Sequence, residues 1–69
     1  MEITTEEHAR EALAAWREVS VTVQRLEIRL AVEKLELNQM YYEQKGREEA
    51  AARTERCIRL LKDYLTDIE

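Results

Sequence analysis

The sequence has no proline, no phenylalanine, one glycine and one cysteine among its 69 residues. Turn residues this scarce exclude an all-β fold, which needs them between its short strands. A lone cysteine cannot form an internal disulfide, so nothing requires an oxidising compartment. The chain also lacks an apolar run of about 18 residues and the basic-then-apolar start of a signal peptide. We therefore expect a cytoplasmic protein without a membrane span.

Charge of one sign is not concentrated anywhere in the chain. Fifteen acidic and eleven basic residues are interleaved and give a net charge of −4. Nucleic-acid-binding domains usually carry a basic stripe, so no nucleic-acid partner is expected. With 45% apolar residues the chain is too apolar for a disordered acidic tail. The composition predicts one all-α domain over residues 1–69.

A helix start is visible near the N-terminus. Thr4 and Glu7 fit the capping-box spacing, and Glu6 and Glu7 complement the positive end of a helix dipole. Residues 19–23 alternate like a strand, but helical periodicity continues on both sides of them without a glycine or proline. The pattern therefore predicts one long first helix over about residues 5–45.

Two apolar stripes run along this expected helix. One stripe recurs at spacings of three and four, typical of a single helical face, and its larger members are Leu13, Trp16, Val19, Val23, Leu26, Leu30, Leu37 and Tyr41. The other lies roughly opposite, at 100° per residue, and comprises Val21, Ile28, Val32, Leu35 and Tyr42. A helix that is apolar on two sides must be covered on two sides.

Two residues could mark the end of the long helix, Gly46 and Asn38. Gly46 follows Lys45 and precedes acidic residues, and glycine is preferred at the left-handed position after a helix. A turn there places a shorter second helix, about residues 47–68, beside the second stripe. A turn at Asn38 would set polar residues 43–49 against apolar residues 22–32. We favour Gly46, while a continuous helix of about 60 residues in a parallel coiled coil stays open as an alternative.

The expected fold is thus an antiparallel two-helix hairpin with unequal arms. The first stripe would have no partner within the chain, which marks it as an interaction surface. Self-association into a four-helix bundle, or a different protein, would cover it. The candidate partner-binding residues are the eight members of the first stripe given above, and Trp16 is the expected binding hot spot because tryptophan is enriched at such positions.

No residue pattern in the chain indicates catalysis, a metal or a cofactor. His8 is the only histidine, and the sequence offers no His-x3-His or Glu-x-x-His pattern on one helix. Cys57 lies on the apolar face of the second helix, which favours a buried, inert thiol. Phosphate-binding and nucleophile motifs are missing from the sequence. We therefore expect a protein that is not an enzyme and binds no cofactor.

The function expected from these observations is a non-catalytic protein–protein interaction module, such as a small adaptor or co-chaperone that presents an apolar helix face. In size, acidity and hairpin layout the chain is similar to the helical co-chaperones of type III secretion needle subunits. The alternative is a phage or mobile-element inhibitor that binds a host enzyme or defence complex.

Overall fold

The computed structural model describes residues 2–69 and contains three helices in that part of the chain. They are α1 (Glu6–Trp16), α2 (Val21–Gln44) and α3 (Glu48–Ile68). The all-α prediction is confirmed. The two-helix hairpin is wrong, because the expected first helix over residues 5–45 is divided into α1 and α2, which pack together with α3.

Helix α1 begins one residue later than the sequence pattern indicated. The N-cap is Thr5, whose hydroxyl accepts a hydrogen bond from the backbone N–H of His8 at 3.1 Å. Thr4, the expected cap, instead contacts the His8 ring through its hydroxyl at 2.9 Å. Glu6 and Glu7 occupy the first turn, where their charges offset the positive helix end.

The chain leaves the helical path between Trp16 and Val21. Short backbone bonds close the end of α1, with the amide of Val19 donating to the carbonyl of Trp16 at 3.1 Å. Ser20 then caps α2, since its hydroxyl accepts from the amide of Val23 at 3.3 Å. A serine ahead of β-branched residues is thus a helix start here, whereas the periodicity alone had indicated a continuous helix.

Burial explains why the helix breaks at this point. The break lets α1 fold back onto α3, which buries Ile3, Ala9, Ala12 and Leu13 in the common core. Each large apolar side chain buried in this way contributes about 1.5–3 kcal/mol. A few lost helical hydrogen bonds cost roughly 1 kcal/mol each, and the closing bonds and the Ser20 cap recover part of that cost.

The turn between α2 and α3 lies at Gly46, as predicted, and not at Asn38. Gly46 has a positive φ of 70°. The amide of Arg47 donates to the carbonyl of Tyr42 at 2.8 Å, and the amide of Gly46 donates to Glu43 at 3.2 Å. This pair of bonds is the Schellman arrangement, which requires a left-handed residue after the helix. The continuous long helix is excluded by this turn.

Helices α2 and α3 form the main contact of the core. Ile28, Val32 and Leu35 from the second stripe share one buried cluster with Cys57 and Leu61 of α3. The antiparallel arrangement agrees with the predicted pairing of these two segments. The register is also fixed at the surface, where Lys62 of α3 forms an ion pair with Glu36 of α2 at 3.3 Å.

Candidate protein-binding face of α2

One face of α2 remains apolar and open in the folded chain. Six large side chains on it, together with Val19 just before the Ser20 cap, expose between 41% and 62% of their surface, and we name this set the α2 face: Val19, Val23, Leu26, Leu30, Leu37, Met40 and Tyr41. It lies opposite Ile28, Val32 and Leu35, which are buried against α3. Single exposed leucines are common, but large apolar side chains that recur along about five turns of one helix, on both sides of Glu33, are typical of an interaction surface.

The structure places six of the eight predicted binding residues on this face. Leu13 and Trp16 are the exceptions. Leu13 is buried in the core, and Trp16 is partly buried against it. Our expectation that neither had a partner within the chain is therefore wrong. Both lie on α1, which folds onto α3 and so is separated from the face that continues along α2.

Met40 belongs to the α2 face and was missed by sequence reasoning. Its side chain is 55% exposed and lies one turn from Leu37. A seven-residue repeat in the sequence indicates its position, because Met40 follows Leu26 by fourteen residues, with Glu33 halfway between them. A charged residue at the middle position hid the repeat.

The N-terminal end of the face is fixed by a buried glutamine. Gln24 donates through its side-chain amide to the carbonyl of Val19 at 2.9 Å, and it accepts from the Tyr64 hydroxyl of α3 at 2.9 Å. The Arg17 guanidinium lies over the Tyr64 ring, 5.9 Å from its centre. Because buried polar groups are costly without partners, these bonds hold the α1–α2 corner against α3. Sequence reasoning did not single out Gln24.

Charged residues border the α2 face on both sides. On one border stand Glu27 and Lys34, and within residues 2–69 neither forms an ion pair. On the other border, Arg29 pairs with Glu69, and Glu36 pairs with Lys62. These pairs are half-exposed, so each contributes at most about 1 kcal/mol. Glu27 and Lys34 leave the first border available for further charged contacts.

Two arginines of α2, Arg25 and Arg29, are engaged by the end of α3. Arg25 donates to the carbonyl of Ile68 at 3.1 Å, and Arg29 binds the carboxylate of Glu69. Cations next to a helix C-terminus satisfy its free carbonyls and its negative dipole. Arg25 and Arg29 therefore tie α3 to α2.

The residues with reactive side chains do not converge on a site. Cys57 is fully buried, and burial raises the pKa of its thiol, an effect to which the Glu6 carboxylate adds while Arg53 and Arg56 oppose it. His8 is exposed at the start of α1. Among residues 2–69, no cluster of three or more His, Cys, Asp or Glu side chains is arranged to hold a metal ion.

The hollow between the N-terminal segment and α2 is small. It is lined by Ile3, Ala31 and Leu35 among others and offers about 30 Å³, far less than the several hundred Å³ of a ligand pocket. A larger groove of about 410 Å³ beside the α2–α3 turn is open to solvent and lined by Glu43, Glu48 and Glu55 among others. Within the described residues, none of the helices combines the length and apolar character needed to cross a bilayer.

Comparisons with protein-family models, curated protein sequences and solved structures gave no match to this chain. The class that the fold defines is a three-helix all-α domain with one uncovered apolar helix face. Function is therefore inferred from the packing and chemistry of that face.

Proposed function

We propose that this chain is a non-catalytic protein–protein interaction module that binds its partner through the α2 face. The observation that carries the proposal is the exposure of that face after the core is complete. Helix α1 packs against α3 and buries Leu13, yet Leu26, Leu30 and Leu37 each stay more than half exposed. Side chains of this kind on a helix are the usual anchors for helix-in-groove or helix–helix recognition.

Two further features support a binding role. The α2 face lies on the longest helix, and its rear is held by Ile28, Val32 and Leu35 in the core, so it is presented on a rigid element. A preformed surface loses less conformational entropy on binding than a flexible one. The charged borders, with Glu27 and Lys34 on one side, provide the polar rim that protein interfaces commonly have.

The proposal is tested by photo-cross-linking in the cells that produce the protein. A photoreactive amino acid replaces Leu30 on the α2 face in one variant and Arg59 on the exposed side of α3 in a control variant. We expect a discrete cross-linked protein from position 30 and none from position 59. Mass spectrometry of the product identifies the partner, which separates an adaptor, a co-chaperone and an inhibitor from one another.

A second substitution shows whether the cross-link depends on the apolar face. In the position-30 variant, Leu37→Glu should abolish the product, because it places a charge among the apolar side chains on the C-terminal side of Glu33. Leu37 is 62% exposed, so this change should leave helicity and thermal stability nearly unaltered. Absence of any product from position 30, with the chain folded, would contradict the proposed function.

A further inference from the structure

The α2 face has the seven-residue repeat of a coiled-coil seam. Its a positions are Val23, Leu30 and Leu37, and its d positions are Leu26, Glu33 and Met40. Val19 precedes the Ser20 cap and so lies outside the helical repeat. The core face of α2 uses other positions of the same repeat, so the chain can fold and present the seam at the same time. A surface with this repeat is suited to packing against one more helix.

We infer that the occupant of the seam is α2 of a second copy of this chain, in antiparallel orientation. The inference rests on the proposed binding role of the α2 face and specifies its partner. In an antiparallel pair an a position of one helix faces a d position of the other. One register gives apolar pairs on both sides of the centre: Val23 with the partner's Met40, and Leu26 with the partner's Leu37.

The border charges select this orientation. In the antiparallel register Glu27 lies beside the partner's Lys34, and Arg29 lies beside the partner's Glu36. Two-fold symmetry repeats each contact, so four attractive pairs border the seam, and in two of them Arg29 and Glu36 also keep their partners Glu69 and Lys62 within the chain. Glu27 and Lys34 form no ion pair within residues 2–69, so their charges are available for the partner.

A parallel pair would have the opposite electrostatics. In a parallel pair, a residue on the border of Arg29 contacts the residue five positions later on the opposite border of the partner. Arg29 would therefore lie beside the partner's Lys34. It would also place the two Glu33 carboxylates directly opposite each other. In the antiparallel register Glu33 faces the partner's Leu30, and the two carboxylates are offset by about 5 Å along the axis. Opposite charges therefore favour antiparallel pairing, and like charges disfavour the parallel form.

The area of the α2 face is sufficient for association of moderate affinity. From the exposed fractions of its seven side chains, it presents on the order of 700 Å² per chain, close to the about 800 Å² per partner in a standard interface. The apolar contacts lie on both sides of Glu33, whose charge weakens the centre of the seam. Equilibrium between monomer and dimer should therefore be measurable at micromolar concentrations.

Disulfide trapping of the purified full chain tests the orientation. Leu26→Cys and Leu37→Cys variants, one of them carrying a tag that changes its size, are oxidised separately and as a mixture. The antiparallel register predicts efficient covalent dimers only between unlike chains, because each residue lies about 16 Å along the axis from its own copy. Wild-type protein is the control, since its Cys57 thiol is fully buried and should not cross-link.

Charge exchange tests the border contacts independently. By sedimentation equilibrium, Glu27→Lys and Lys34→Glu should each weaken dimerisation at least about fivefold, since each converts two attractive pairs per dimer into repulsive ones. The double variant, with both charges exchanged, should return to within about twofold of wild type. Glu33→Leu should tighten the dimer about tenfold, because it completes the apolar seam.

Each other outcome overturns the antiparallel self-pairing. Cross-links within separately oxidised variants would indicate a parallel dimer. A monomer at 100 µM, with the chain folded, would exclude the second copy as the occupant. If that monomer still gives a cross-link to a different protein from position 30 in cells, self-pairing fails while the proposed binding function stands. Loss of both results means that the binding function itself is wrong.

Discussion

Replacing Gly46 with alanine measures the energetic cost of the turn that joins α2 and α3. The residue has φ of +70°, and a Cβ atom built on it meets no atom within 4 Å. The substitution therefore introduces no clash, and its effect is the backbone penalty alone. A left-handed L-residue costs roughly 1–2 kcal/mol, while the less flexible unfolded chain returns about 0.4–1 kcal/mol.

We expect Gly46→Ala to lower the free energy of unfolding by about 1 kcal/mol. In a domain of this size that change lowers Tm by about 4–8 °C. Circular dichroism melts at matched protein concentration measure the shift. Gly46→Asn is the matched control, because asparagine tolerates the left-handed region better and should lose less stability than alanine.

The sign of the change in stability distinguishes a left-handed turn at Gly46 from a position inside a helix. If Gly46 were inside a helix, alanine would raise stability by about 1 kcal/mol, because glycine is a poor helix former. A higher Tm for Gly46→Ala would therefore refute the turn and, with it, the packing of α3 on α2. Equal losses for alanine and asparagine would show that the left-handed backbone is not the cause.

Three further substitutions test the core and the corner between α1 and α2. Leu61→Ala should cost about 2–5 kcal/mol in urea unfolding, because the side chain is fully buried; a loss below 1 kcal/mol would contradict the core assignment. Tyr64→Phe should cost about 1–3 kcal/mol, because it leaves the buried Gln24 oxygen without its donor, and a neutral result would mean that water replaces the hydroxyl. Trp16→Ala should lower Tm of the monomeric chain, because Trp16 packs on the core; an effect on association alone would place it on the binding surface instead.

The sequence by itself determined the helical class, the turn and much of the surface that remains open. The left-handed turn could be predicted because glycine is the residue that adopts that conformation at least cost, and Gly46 is the only glycine in the chain. The exposed leucines of α2 could be predicted because Leu26, Leu30 and Leu37 share one helical face opposite Ile28 and Leu35, whatever packs on either side. These properties depend on local geometry alone.

Only the tertiary structure decided where the first helix ends and which apolar residues the chain covers for itself. Helical periodicity continues through residues 17–20, so local sequence favoured one long helix. The free energy that opposes one long helix comes from contacts that are distant in the sequence, because folding α1 back buries Leu13 and Ile3 in a core shared with α3. Ser20 can cap a helix, but whether it does so depends on that burial, since helix propensity differs by only tenths of a kcal/mol per residue and a buried leucine contributes about 1.5–3 kcal/mol.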